Sequence, residues 1–232
     1  MNPIRVVNLG RRHYHPVLRL QRALVRARLD GTLTDDLLLL VEHEPVVTLG
    51  RGTRQTSLPV APALLETQGY EVYEVERGGD VTVHAPGQLV GYPILDLQQF
   101  RPDLHWYLRQ LEQSLMNGLA ALGITAERNP GLTGVWTGGR KIASIGVHVK
   151  RWVTLHGFAL NVTNSLSWFD PVVPCGIDGV VMTSVQQERP AQPGAPGNLW
   201  SETVDAVTAG FGRAFEREMR AGDLEAVESL AG

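Results

Sequence analysis

The chain has 232 residues, 43% of them apolar and 19% charged, enough to bury the core of one domain, expected here to span 1–232. No uninterrupted apolar stretch approaches the roughly 18 residues of a membrane-spanning helix, and a single cysteine excludes an internal disulfide. With no apolar segment of secretory type at its start, the sequence reads as a soluble protein of the reducing cytoplasm.

The net charge of −3 conceals an asymmetry: residues 1–29 carry seven arginines and no acid, whereas from Asp30 onward 14 basic residues face 24 acidic ones. Beyond that basic start nothing supports a nucleic-acid role. Arginine outnumbers lysine 19 to 2, so Lys141 and Lys150 stand out.

The stretch 16–29 places Val17, Leu20, Leu24 and Ala27 on one helical face and Arg19, Arg22 and Arg26 on another, with Pro16 in the first turn. This spacing predicts an amphipathic helix with a basic stripe. After Gly31, "DDLLLLVEH" is an apolar run of strand length, and "PVVTLGRG" is expected to pair with it. A short helix in "APALLETQGY", ended by Gly69, precedes a strand in "YEVYEVERGG". Two more strands, 80–84 and 89–95, flank a turn at Ala85, Pro86 and Gly87. Asp103 then opens a long helix that Gly123 closes.

From 124 to 162 the pattern returns to strands, with a hairpin turn at Gly138 and Gly139. "AQPGAPGN" reads as a loop, and Trp200, Val204, Val207, Phe211 and Phe215 form the core face of a last helix. Strand-rich stretches interrupted by a few helices predict an α+β fold, a mixed β-sheet flanked by helices.

Three glycine-rich stretches hold the unusual residues: "RGGDVTVHAPGQ", "GGRKIASIGVHV" with "HGFALNV", and "PCGIDG". Neither GxxxxGK[ST] nor GxGxxG occurs, so nothing points to a nucleotide loop. Cys175 sits between proline and glycine. A thiol reacts as thiolate and needs a nearby cation to form at neutral pH. Lys141, among small and apolar neighbours, is the candidate, because an ammonium exchanges a proton and a guanidinium does not. Taken singly, a lone cysteine is a small core residue and a lysine beside a turn a solvated one.

Together, "RGGDVTVHAPGQLVGYPILDL", "GRKIASIGVHVKRWVTLHGFALNV" and "PCGIDGVVMTSV" resemble the signature segments of lipoyl(octanoyl) transferases. The resemblance runs from "LLLLVEHEPVVTLGRG" to about Val185 and implies the fold of biotin and lipoate protein ligase catalytic domains. It further implies that Cys175 carries the acyl group as a thioester and that Lys141 lowers its pKa. The acyl chain is then expected along Arg77, Gly78, Gly79, Asp80, Val81, Thr82, Val83 and His84, along Ser144, Ile145 and Gly146, and along Gly157, Phe158 and Ala159. Val83 stands where the family commonly has an aromatic residue, and Ala85 where it has glycine.

The implied donor is octanoyl-acyl carrier protein; the implied acceptors are lipoyl domains of 2-oxoacid dehydrogenase E2 subunits and the glycine cleavage H protein. Neither cofactor nor metal is expected. An ATP-dependent lipoate-protein ligase and a lipoyl-domain-to-lipoyl-domain octanoyl amidotransferase stay open as alternatives. So do an acyl-binding module without activity and, more remotely, a cysteine protease.

Overall fold

A computed structural model describes residues 2–176, 179–190 and 198–230, apart from the side chain of Cys175. All but the last residue of the loop expected at 191–198 lies outside the described residues. Strands β1 (Ile4–Arg12), β2 (Asp36–His43) and β3 (Val46–Leu49) surround helix α1 (Tyr14–Asp30) in the chain. Helix α2 (Pro62–Thr67), β4 (Glu71–Glu74), β5 (Val81–His84) and β6 (Gln88–Ile94) follow, then the long helix α3 (Leu104–Ala121). Next come β7 (Val135–Thr137), β8 (Arg140–Lys150) and β9 (Val153–Asn161). The chain closes with α4 (Val185–Glu188), α5 (Leu199–Phe215), β10 (Met219–Ala221) and α6 (Leu224–Ser229).

Seven strands form one mixed sheet in the order β10-β1-β2-β6-β9-β8-β7, parallel across β10, β1 and β2 and antiparallel from β2 to β7. The four leucines of β2 are buried on both faces. Leu38 and Leu40 pack towards α3 and α5, with Leu111, Leu115 and Phe211, while Leu37 and Leu39 pack towards α1, with Val17 and Leu24. A continuous apolar run is what a central strand covered by helices on both sides requires. The α+β expectation with a mixed, helix-flanked sheet holds.

The sequence reading pairs 45–52 with β2, and the structure corrects it. Both edges of β2 are taken, by β1 and β6, so after Glu44 and Pro45 the chain turns away and β3 joins a second sheet, β4-β3-β5. The two strands around Ala85, Pro86 and Gly87 therefore lie in different sheets, and that turn carries the chain from one to the other. The strand expected over 70–79 stops at Glu74, where the chain leaves the sheet to form the lip described below. Of the expected strand region 124–162, residues 124–134 contribute only one isolated bridge, Glu127 to Trp136.

Helix α3 is capped as expected: the Asp103 carboxylate accepts the Trp106 amide at 3.0 Å, and Gly123 takes the left-handed conformation with φ 79°. Among the described residues no helix is long and apolar enough to cross a membrane.

Candidate active site

A cavity of about 200 Å³ opens at the seam between the two sheets. One wall is the lip that runs from Arg77 into β5, and the other is the glycine-broken middle of β8 and β9. Arg77 is buried, 6% exposed, and its guanidinium turns back onto β3, with Nη2 donating to the Thr48 carbonyl at 2.6 Å and Nε to its hydroxyl at 3.1 Å. Across the cavity, a Cβ on Gly146 would come within 2.9 Å of the Gly78 carbonyl oxygen and 3.1 Å of Arg77 Cδ. Glycine at 146 is what lets the lip approach β8.

Of the residues expected to hold an acyl chain, Arg77, Gly79, Asp80, Val81, Thr82, His84, Ser144, Ile145, Gly146, Gly157, Phe158 and Ala159 line this cavity, together with Lys141. Gly78 and Val83 are not among the lining residues. Gly78 donates its amide to the Val147 carbonyl at 2.8 Å, and the pleat of β5 turns Val83 into a separate core with Val47 and Leu65. Sequence reasoning missed Tyr14, Tyr92, His156 and the loop residues Gly131, Leu132 and Thr133, which also line it. Tyr14 continues the buried face of α1 by one turn before Val17 and Leu18, a signal hidden by starting that helix at Pro16.

The cavity floor is aromatic. Tyr14 stacks on His84 with centroids 6.1 Å apart and meets His43 edge-on at 5.3 Å. His43 Nδ1 lies 3.0 Å from the Arg12 carbonyl, which can only accept, so Nδ1 carries the proton and Nε2 accepts from the Tyr92 hydroxyl at 2.9 Å. Likewise the Gln88 amide nitrogen donates to Val83 and Asn161, leaving its oxygen to accept from His84 Nδ1 at 2.8 Å. Burial pushes His43 down to about 4 and His84, beside it, to about 3. Burial raises Tyr14 and Tyr92. All four groups are uncharged at neutral pH, so the floor suits an apolar chain end.

His156 forms the adjoining wall in a left-handed backbone conformation, φ 58°, held by its amide donating to Gln21 Oε1 at 2.9 Å. Its Nε2 lies 3.6 Å from Glu76, a carboxylate also gripped by Arg22 through two bonds of 2.9 and 2.7 Å. His156 and then Arg22 hold Glu76 far below the usual carboxylate range, while burial lowers His156 itself. Arg22 is thus occupied; Arg19 and Arg26 of the basic stripe are exposed.

Lys141 is buried, 1% exposed, with Nζ 4.9 Å from the centroid of the Trp136 ring. Its amide donates to the Val181 carbonyl at 2.8 Å, and its carbonyl accepts the Thr183 amide at 2.9 Å. Residues 181–183, a short way beyond Cys175, therefore run hydrogen-bonded along Lys141. Before Cys175, the Val173 amide donates to the Ser57 carbonyl at 2.9 Å. The 3₁₀ turn Pro174–Gly176 follows, ending in Gly176 with φ 63°. A Cβ on Gly176 would land on the Asp80 carboxylate. The turn that bears Cys175 is thus held at Val173 by the Ser57 carbonyl and packs at Gly176 against Asp80. Among the described residues no three His, Cys, Asp or Glu side chains converge to hold a metal ion.

An octanoyltransferase of Gloeobacter violaceus is 48% identical over 206 residues, which make up 89% of this chain and 87% of that protein. Among solved structures, a lipoate-protein ligase A bound with ATP superimposes on the whole chain and 93% of its own with a TM-score of 0.77 at 18% identity. The bipartite lipoate protein ligase of Thermoplasma acidophilum, studied with its E2 lipoyl domain, covers the whole chain and 91% of its own at a TM-score of 0.74 and 17% identity. These two establish the shared fold. Because the lipoyl protein ligase A/B catalytic domain matches residues 13–206 and a curated octanoyltransferase aligns along most of both chains, this chain belongs to the lipoyl protein ligase A/B catalytic-domain family.

Proposed function

We propose that this acyltransferase moves an octanoyl group from acyl carrier protein to a lipoyl-domain lysine through a thioester on Cys175. One observation carries the reading: buried Lys141, bonded through its backbone to Val181 and Thr183 a few residues beyond Cys175, lines a cavity with an uncharged aromatic floor, and Asp80, which packs against the Cys175 turn at Gly176, lines the same cavity. Burying an eight-carbon chain there contributes ~0.8 kcal/mol per methylene.

The Cys175 thiolate attacks the donor carbonyl, a new C–S bond forms, and the old one breaks. Lys141 gives its ammonium proton to the departing carrier thiolate. The exchange of one thioester for another is nearly isoenergetic and needs no ATP. The acceptor ammonium then loses a proton to the neutral Lys141, and the free amine attacks the Cys175 thioester. A C–N bond replaces C–S, the second amine proton leaves to water, and Cys175 returns as thiolate. The amide is more stable than the thioester, which drives this half forward.

The acceptors in this reading are lipoyl domains of 2-oxoacid dehydrogenase E2 subunits and the glycine cleavage H protein, in the cytoplasm, and Arg19 and Arg26 favour acidic carriers. Incubation with octanoyl-acyl carrier protein without ATP, followed by intact and peptide mass spectrometry, tests it. The expected result is a hydroxylamine-labile octanoyl adduct on Cys175 that a lipoyl domain discharges. Acylation that requires ATP and free octanoate, with no adduct on Cys175, overturns it.

A further inference from the structure

Asp80 holds a carboxylate at the cavity rim one residue away from the nucleophile. Its Oδ1 accepts the Val81 amide at 2.7 Å, and its Oδ2 accepts the Ser57 hydroxyl at 2.6 Å. Ser57, 2% exposed, is itself bonded through its carbonyl to Val173. The carboxylate is thus fixed in direction, and its Oδ2 sits where a Cβ on Gly176, the residue after Cys175, would fall. It is part-exposed and lines the cavity, and among the described residues no lysine or arginine pairs with it.

A negative charge beside a thiol opposes thiolate formation, so a carboxylate at this place does not serve the attack on the donor. It does serve the second half of the reaction. The acceptor lysine arrives with an ordinary pKa of about 10.4 and is therefore cationic at neutral pH. A fixed anion at the rim attracts it more strongly in these part-dehydrated surroundings than in bulk water.

We infer that Asp80 binds the ε-ammonium of the acceptor lysine and aligns it with the acyl group on Cys175, which makes it a determinant of acceptor choice. The inference rests on the thioester reading above. It distinguishes two nucleophiles: a cationic lysine needs the carboxylate, whereas uncharged hydroxylamine does not.

The test uses acyl-enzyme prepared with octanoyl-acyl carrier protein and compares discharge by a lipoyl domain with discharge by hydroxylamine. In Asp80→Asn, which keeps the shape and an oxygen acceptor, the ratio of the two rates falls about tenfold, mostly through a weaker apparent affinity for the lipoyl domain. Asp80→Glu, which keeps the charge, recovers part of the ratio. Ser57→Ala loosens the turn without removing the charge and lowers both rates together. An unchanged ratio in Asp80→Asn overturns the assignment, as does a Ser57→Ala effect of the same selectivity. Failure of the unsubstituted protein to form acyl-enzyme refutes the thioester reading instead.

Discussion

Lys141 and Trp136 stand opposite each other across β7 and β8, and the lysine ammonium reaches 4.9 Å from the centre of the indole ring. The ring face supplies a mild attraction to the cation in a place where water does not solvate it. In Lys141→Ala and Lys141→Arg, octanoyl transfer is expected to fall about 10²–10⁴-fold, because alanine has no proton to give and a guanidinium does not release one. Alkylation of Cys175 by iodoacetamide across pH gives the matching readout: its profile moves to higher pH in Lys141→Ala. An unshifted profile would remove Lys141 from thiolate formation.

Gly91 faces Phe158 in the β6–β9 register, and a Cβ added at Gly91 would fall within the phenyl ring. Since Phe158 also lines the cavity, Gly91→Ala is expected to cost about 1–3 kcal/mol of stability and to constrict that cavity as the ring shifts. Thermal melts with and without octanoyl-acyl carrier protein report both effects.

The buried histidines set an acid limit. His43 and His84 have folded values of about 4 and about 3 against about 6.5 when unfolded. Between those values the unfolded chain holds protons that the folded chain refuses, so stability is full above pH 6.5 and falls as pH drops. Each contributes up to about 1.4 kcal/mol per pH unit in that window. The melting temperature of the native protein should fall more steeply from pH 6.5 to 4.5 than that of a variant with glutamine at both positions.

Arg28 and Asp36 form an ion pair of 3.2 Å with side chains 8% and 3% exposed, joining α1 to β2. Asp36 also accepts the Asp96 amide at 3.0 Å, yet burial still raises its pKa. Arg28→Ala strands that carboxylate and is expected to cost about 3–5 kcal/mol. Raising pH from 5 to 8 deepens the loss, measurable by urea denaturation, as the stranded acid is forced to ionise.

Local pattern was enough for the helices and for β2, because amphipathic spacing and a doubly buried leucine run are written in neighbouring residues. Partnership was not. That β3 leaves β2 for β4 and β5 follows from β1 occupying the edge, and β1, with its arginines at both ends, carries no sharp period. The lip at Arg77 was legible as a glycine-rich stretch. Its attachment to Thr48 was not, since 29 residues separate the two. Tyr14, His43 and Tyr92 meet at the floor from three elements, and no spacing in the sequence announces such a convergence.

The cavity's two walls belong to different sheets, β5 to the small one and β8 and β9 to the large one. In the proposed cycle, an acyl chain bound between them would act as a splint across the seam. Amide exchange in β3, β4 and β5 should therefore slow when Cys175 is loaded and recover on discharge, so the small sheet registers which half of the cycle the enzyme is in.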